Sequence, residues 1–341
     1  MSAKVLLRWL ALTQITSCQL ALATQPGEGI VTDSSGNYVV TYCAPSGSST
    51  CQLEQVVWVP STKIKPSIRT MLSNVDGTVH YSYAVSNDET SSQAIALFAI
   101  DSVSNLTGGP SPLSISPSIS DDALTAAVAS WRAALSAPTG WQPLAVTSQS
   151  GNSLRVAWMY ASPATAGGLL PGKTERRFAL ASNDLPGIGI AEVVGNPGNE
   201  PVFSDDGPTG NIGQQFSLLQ RKNFLGRYVA LPTISVPSPF SRTLLLQSID
   251  GQVATWVNYG LIDGDLYSRI HTLIQAAIAS ANAGDNGSCK LRGDALRKLL
   301  RSVASWLDNQ DQPAEAEKSG PIAPLAARVL DFDIEYVMSH Q

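Results

Sequence analysis

Two neighbouring stretches of the chain, 79–85 and 93–101, have the hydrophobic patterns of β-strands. In the first stretch every second residue is large and apolar, which is the period of a half-buried β-strand. In the second stretch apolar residues occupy both faces, and the polar segment 87–92 between the two is typical of a turn. We expect the two strands to pair as a hairpin and to bury their apolar sides against further strands.

Similar patterns predict more short strands and one helix before residue 240. The strands are expected at 30–42 (as a hairpin), 53–60, 64–72, 154–160, 174–182, 188–194 and 224–234. Turns are expected at 75–78 and 138–142, and Asp121 and Asp122 favour the N-cap of a helix over 123–135. Residues 196–240 are rich in Gly, Asn, Pro and Ser, and the strand at 224–234 is the one regular element predicted within them. This succession of short strands predicts an antiparallel β-sandwich.

From residue 242 the apolar residues recur at three- and four-residue intervals, which indicates amphipathic helices. Three or four helices are predicted from apolar stripes at 245–256, 266–277, 296–307 and 325–336, and Pro324 opens the last one. The predicted fold is mostly β with a C-terminal α part, a sandwich followed by a small helical bundle or hairpin. The predicted domains are a signal peptide (1–23), a β-sandwich domain with an N-terminal hairpin (24–240, core 60–195) and a helical domain (241–341).

A series of short motifs occurs in order along the predicted strands. They are Tyr81-x-Tyr83-x-Val85-x-Asn87, Ile95-x-x-Phe98-x-Ile100, Pro138-x-Gly140-Trp141, Val156-x-Trp158, Leu170-Pro171-Gly172 and Leu185-Pro186-Gly187. The series resembles a domain that recurs in uncharacterised exported bacterial proteins. This resemblance implies an immunoglobulin-like sandwich over about 60–195 and no catalytic residue. The C-terminal part similarly resembles helical segments of exported bacterial proteins, which implies an exported context and no activity.

The N-terminus has the pattern of an export signal. Lys4 and Arg8 precede an apolar stretch that ends in Ala21-Leu22-Ala23, and we favour cleavage after Ala23. One alternative is lipidation of Cys18, because 15–18 resembles a lipobox. An uncleaved anchor is less favoured, since a bilayer span needs about 20 apolar residues. We therefore predict a periplasmic or extracellular protein, or a lipoprotein anchored through Cys18, with no transmembrane segment in the mature chain.

The composition narrows the classes of partner. Only 14% of the residues are charged and the net charge is −5, so the chain lacks the basic surface that nucleic acid requires. Cys43 and Cys51 flank a loop between two predicted strands, and in an oxidising compartment we expect them to form a disulfide. Cys289 remains without a predicted partner, and the three histidines form no Cys/His cluster of the kind that binds zinc. No cofactor is predicted.

Several acidic residues are candidates for chemistry. His271, Asp265, Asp333 and Glu335 lie on two predicted helices and would together form an acid–base or metal site. We favour the simpler interpretation, in which His271 borders an apolar stripe and the acids face water. The pair Asp205-Asp206 is a weak candidate for calcium binding, against which we favour an ordinary solvated turn because several oxygen ligands would have to converge. The same pair and Asp121-Asp122 are the candidate carboxylates for glycoside hydrolysis, although both fit a turn and a cap better.

Trp141 is the remaining candidate for ligand binding. It follows a Pro/Gly turn that would expose its ring, and exposed Trp rings bind sugars by stacking. A place in the core is the favoured alternative. The sequence lacks the motifs of serine hydrolases, zinc proteases and nucleotide-binding loops. We therefore predict a non-catalytic binding or scaffolding module of the bacterial envelope with a protein or glycan partner, the alternative being a carbohydrate-binding or carbohydrate-active protein.

Overall fold

The computed structural model describes residues 26–44, 52–115, 120–148, 151–161, 167–198, 202–204, 207–304 and 320–340. The strands within these residues are β1 (Gly29–Thr32), β2 (Tyr38–Ala44), β3 (Gln52–Trp58), β4 (Pro66–Val75), β5 (Thr78–Asn87), β6 (Ile95–Val103), β7 (Leu135–Ser136), β8 (Trp141–Thr147), β9 (Leu154–Tyr160), β10 (Lys173–Ser182), β11 (Leu185–Gly195) and β12 (Leu225–Ile234). The helices are α1 (Asp121–Ala133), α2 (Gly210–Arg221), α3 (Arg242–Asn258), α4 (Gly264–Asn282), α5 (Asn286–Val303) and α6 (Pro324–Ser339). The prediction of antiparallel sheets with C-terminal helices is confirmed.

The chain divides into two compact units. Met1–Val59 and Glu200–Lys222 form the smaller unit, and Pro60–Asn199 and Asn223–Gln341 form the larger one. The four C-terminal helices therefore belong to the same compact unit as β4 to β12. The domain boundaries predicted from the sequence stay predictions.

The smaller unit contains a three-stranded sheet in the order β1-β2-β3, with the predicted hairpin of β1 and β2. Helix α2 packs on this sheet, and the ring of Phe216 meets that of Trp58 edge-on at 5.3 Å between centroids. The polar composition around α2 concealed this helix from the sequence analysis. Its only signal was the helical spacing of Ile212, Phe216 and Leu219, which all contribute to the core of the unit.

The larger unit contains two antiparallel sheets, in the orders β4-β5-β10-β7 and β12-β11-β6-β9-β8. Buried aromatic rings from both sheets form one cluster. Phe98 stacks on Trp158 with centroids 5.1 Å apart, and Tyr83 of the other sheet meets Phe98 edge-on at 5.4 Å. The two sheets therefore share one hydrophobic core.

The predicted pairing of the strands at 79–85 and 93–101 is wrong, although both strands are present. Strand β5 pairs with β4 and β10, whereas β6 pairs with β9 and β11 in the other sheet. The segment between them crosses from sheet to sheet. Asn87 anchors this crossing, since its side-chain amide donates hydrogen bonds to the carbonyls of Gln93 at 2.8 Å and Leu169 at 3.0 Å. Strand β6 is therefore a central strand of its own sheet, with β9 on one side and β11 on the other.

The structure shows the outcome for two of the predicted turns and for the predicted N-cap of α1. Asp76 and Gly77 have φ values of 51° and 82°, so both adopt the left-handed conformation that a tight hairpin turn requires. The turn before Trp141 is also present, since the Trp141 N–H donates to the carbonyl of Pro138 at 3.0 Å. The predicted cap of α1 is wrong by one residue, because the Ser120 hydroxyl accepts the N–H of Ala123. Asp121 and Asp122 lie in the first turn, where carboxylates favour the helix dipole.

Helices α3 to α6 confirm the helical stripes predicted from residue 242 as far as the structure describes them, since 305–307 at the end of the third stripe lie outside the described residues. Helix α6 contacts α3, α5, β11 and β12, and ten of its sixteen residues are buried. Most of its surface is therefore removed from solvent. Strands β7 and β8 were not predicted, because β7 has only two residues and β8 contains Pro143.

Candidate functional site

The five-stranded sheet turns one face towards the shared core and the other away from it. Successive side chains of a strand point to opposite faces, so the register assigns each residue to one of them. The outer sheet face comprises Gln142, Leu144 and Val146 of β8, Arg155, Ala157 and Met159 of β9, Leu97, Ala99 and Asp101 of β6, Ile190, Glu192 and Val194 of β11, and Gly226 and Tyr228 of β12. Phe98 and Trp158 point the other way, into the aromatic cluster.

Arg155 lies in the middle of the outer sheet face and joins two carboxylates. Its Nη1 donates to Oδ2 of Asp101 and its Nη2 donates to Oε2 of Glu192. The three side chains are partly exposed, at 26% for Arg155, 40% for Asp101 and 22% for Glu192. Aliphatic side chains reach solvent on either side of this ion cluster, since Ile190 is 51% exposed and Met159 is 37% exposed.

The two carboxylates share one guanidinium. The pKa of Asp101 is raised, mainly because the side chain is buried. The charge of Arg155 opposes this rise, whereas the charge of Glu192 adds to it. Burial also lowers the pKa of Arg155, but the hydrogen bonds and charges of both carboxylates outweigh this effect and raise it. The ion cluster therefore carries one net negative charge when all three groups are ionised, in the middle of a largely aliphatic surface.

His271 has a carboxylate neighbour that the sequence analysis did not identify. Its Nδ1 lies 2.9 Å from both carboxylate oxygens of Asp250 on the preceding helix, α3. Gln275, one turn further along α4, donates to the same carboxylate at 2.9 Å. No spacing in the sequence links residue 250 to residue 271, since the contact arises from the packing of α3 against α4.

The acids that were considered with His271 lie elsewhere. Asp265 lines a cleft of about 450 Å³ at the start of α4. Glu335 accepts a hydrogen bond from Arg297 at 3.0 Å, and Asp333 is completely buried. The structure therefore does not bring these residues together as an acid–base or metal site.

Trp141 occupies a core position. It is only 8% exposed, and its ring meets the rings of Phe178 and Tyr160 edge-on at 4.9 and 5.6 Å. This packing leaves little of the indole for stacking on a sugar. A cleft of about 570 Å³ beside the turn of β4 and β5 is lined by Asp76, His80 and Ser130, and its lining contains no Trp, Tyr or Phe. Sugar binding by Trp141 remains an untested prediction.

Several predicted residues lie outside the described residues. These are Asp205 and Asp206 of the candidate calcium loop, Cys51 of the predicted disulfide, and Cys18 with the whole export signal. Cys43 is buried in β2, and its pairing with Cys51 stays a prediction. Cys289 is free and buried at the beginning of α5.

Metal sites and membrane-spanning helices were considered within the described ranges. They contain no group of three or more His, Cys, Asp or Glu side chains that would hold a metal ion. Among the helices described by the structure, none is long and apolar enough to span a membrane.

Comparison of the chain with protein-family models, curated proteins and solved structures finds no match. The outer sheet face combines exposed Ile190 and Met159 with the ion cluster of Arg155 on one sheet. Sequence analysis predicted its strands β6, β9, β11 and β12 but not the edge strand β8. The sequence signal for the ion cluster was one charged residue at an outward position in each of β6, β9 and β11. These residues are Asp101, Arg155 and Glu192.

Proposed function

We propose that this chain is an exported protein of the bacterial envelope and acts as a non-catalytic binding module. The observation that carries the proposal is the outer sheet face, a surface formed by five paired strands with exposed Ile190 and Met159 around the ion cluster of Arg155. Exposed apolar side chains gathered on one surface are typical of interaction sites. Paired strands keep such a surface rigid, which reduces the entropy lost on binding.

The strand order supports an immunoglobulin-like assignment of the two sheets. The order β4-β5-β10-β7 corresponds to A-B-E-D of the seven-stranded immunoglobulin sandwich, and β12-β11-β6 corresponds to G-F-C. Three of the crossings between the sheets, from β5 to β6, from β6 to β7 and from β10 to β11, correspond to the crossings from B to C, from C to D and from E to F of that fold, and two further crossings lead to and from the hairpin of β8 and β9. The hairpin of β8 and β9 adds two strands next to β6. The successive packing of α3, α4, α5 and α6 supports the small helical bundle.

The partner that fits the outer sheet face is a protein surface with a Lys or Arg among aliphatic or aromatic side chains. Charge complementarity favours this chemistry, because Arg155 compensates only one of its two carboxylates and Asp101 is the more exposed of them. A basic group from a partner would pair with Asp101, while apolar side chains would cover Ile190 and Met159. A nucleic acid does not fit a surface of this charge.

Export rests on the sequence pattern of residues 1–23. The positive residues, the apolar stretch and the Ala-x-Ala end support cleavage by a signal peptidase. Mass spectrometry of the N-terminus of the chain isolated from its host tests this part. A chain that begins at Thr24 agrees with cleavage and carries no lipid on Cys18, whereas a lipid-modified Cys18 would replace this proposal by an anchored form.

The binding proposal is tested by selecting random displayed peptides on the full purified chain. We expect selected peptides to contain Lys or Arg flanked by apolar residues. Ile190→Asp should weaken their binding at least roughly tenfold, because it places a charge in the apolar part of the face. Leu244→Asp is the matched control, since Leu244 is similarly exposed, at 54%, but lies on α3.

The possible results distinguish the location of the binding surface from the chemistry of its partner. Selected peptides that bind Ile190→Asp as well as the wild type would overturn the outer sheet face as the binding surface. Peptides that depend on Ile190 but bind Asp101→Asn unchanged would leave the surface in place and overturn the basic partner. Failure to select any peptide that discriminates Ile190→Asp from Leu244→Asp would count against the whole proposal.

A further inference from the structure

The side chain of Asp333 is buried in the apolar surroundings of α6. Its residue is 0% exposed, and neither carboxylate oxygen has a hydrogen-bond partner within the described part of the chain. Leu330, Ile334 and Val337 on the same helix are also buried. An ionised carboxylate is very unfavourable without water, a cation or a donor, so such a group takes up a proton instead.

Two arginines on the helices around α6 bind other groups. Arg242 of α3 donates to the carbonyls of Val337 and His340 near the end of α6, at 3.3 and 2.6 Å. Arg297 of α5 donates to Asp331 at 2.7 Å and to Glu335 at 3.0 Å. Neither arginine bonds to Asp333.

The strands around α6 also provide no partner for Asp333. On β11 Glu192 is paired with Arg155, and on β12 Arg227 donates to the carbonyl of Pro66 at 2.8 Å. Tyr81 of β5 lies close enough for its pKa to respond to Asp333. Burial raises the pKa of Tyr81 most, the neighbouring Tyr83 raises it further, and the charge of Asp333 adds a third, smaller contribution. The Tyr81 hydroxyl donates to the carbonyl of Asp184 at 2.8 Å. It is therefore engaged outside the helix.

We propose that Asp333 makes the docking of α6 dependent on pH: the protonated side chain fits the apolar interface, and its ionisation loosens the helix from the sheet and from α3. Loosening would expose the many buried apolar residues of α6 and would open the side of the core that this helix covers. The fold would then contain a helix that is held in acid and released as the pH rises.

The direction of the pH dependence of α6 docking follows from the linkage between protonation and stability. Burial raises the pKa of Asp333 well above its ordinary value, so the docked state holds a proton that the undocked state releases. The stabilising effect is complete below the pKa of the free side chain, about 3.9, and is lost as the pH rises through the raised pKa.

Hydrogen exchange of the full chain, measured by mass spectrometry at pH 5 and pH 8, tests the proposal. After correction for the intrinsic pH dependence of exchange, amides of α6 should exchange at least roughly tenfold faster at pH 8, which corresponds to one unit of pKa difference between docked and undocked states. Asp333→Asn, which cannot ionise, should remove this dependence. Asp333→Val is a second non-ionising variant if the first does not fold.

Asp331→Asn is the matched control on the same helix. Asp331 is paired with Arg297, so its replacement removes an ion pair and leaves the buried carboxyl in place. This variant should keep the ratio between pH 8 and pH 5 that the wild type has. Equal corrected exchange of α6 at both pH values in the wild type would overturn the proposal, as would an unchanged ratio in a folded Asp333 variant.

Discussion

The aromatic core between the sheets differs from the helical layer that covers it in whether the buried polar side chains of its rings and carboxyls have hydrogen-bond partners. Between the sheets, the hydroxyls of Tyr81 and Tyr83 donate to carbonyls at 2.8 and 2.9 Å, and the indole of Trp158 donates to Ser136 at 2.8 Å. In the helical layer, the indole N–H of Trp256 and both oxygens of Asp333 have no partner among the described residues.

The difference follows from the geometry of the elements. Strand ends and loops present free carbonyls beside the aromatic rings, so a Tyr or Trp that enters the core finds an acceptor. Inside a helix the carbonyls are already bonded four residues further along, so few of them are free to accept a hydrogen bond from a buried side chain of a neighbouring helix. The aromatic side chains of the sheet core are thus fixed by specific bonds, although Asn87 Oδ1, Gln93 Oε1 and Thr233 Oγ1 beside them also have no partner among the described residues. The helical layer depends more on apolar packing and retains a buried carboxyl group that favours its loosening.

The largest expected effect is on the aromatic core. Trp158→Ala should reduce the free energy of unfolding by about 3–5 kcal/mol, because it removes a completely buried ring that contacts Phe98, Phe178 and Tyr83. Urea unfolding followed by circular dichroism measures this loss. Met159→Ala is the control on the opposite face of the same strand and should cost about 1 kcal/mol or less. Similar losses for the two variants would contradict the placement of the core.

A pair of Trp→Phe variants compares the two regions directly. Trp158→Phe removes a donor that is bonded, whereas Trp256→Phe removes a donor that has no partner. Both indoles are 0% exposed, so the two variants lose similar packing. We expect Trp158→Phe to be the more destabilising by about 1–2 kcal/mol. If urea unfolding gives Trp256→Phe the larger loss, the indole of Trp256 has a partner and the contrast between the regions is smaller than proposed.

A smaller effect is expected on the outer sheet face. Arg155→Met should lower the free energy of unfolding by about 1 kcal/mol or less at pH 7, since the cluster is partly exposed and screened by solvent. Without the guanidinium the pKa of Asp101 rises further, so the difference from the wild type should shrink as the pH falls and the carboxylates take up protons. Thermal unfolding at pH 4 and pH 7 checks this trend. A difference that grows in acid would contradict the shared guanidinium.

Local patterns in the sequence were enough to find most elements. The alternation of Tyr81, Tyr83 and Val85 predicted β5, and the stripe that begins after Pro324 predicted α6, because both are dictated by the period of a buried face. The same patterns failed at α2 and β8. There, polar or Pro-containing segments become regular through contacts with residues distant in sequence.

The sequence by itself determined the class of the elements and the candidate aromatic core, since hydrophobic periodicity acts within a few neighbouring residues. Only the tertiary structure decided that β5 and β6 lie in different sheets, that Trp141 is packed against Phe178, and that Asp101, Arg155 and Glu192 meet on one face. It also decided that Asp333 points into the core rather than into water. These features depend on which strands and helices become neighbours, and pairing between distant segments leaves no periodic signal in a single chain.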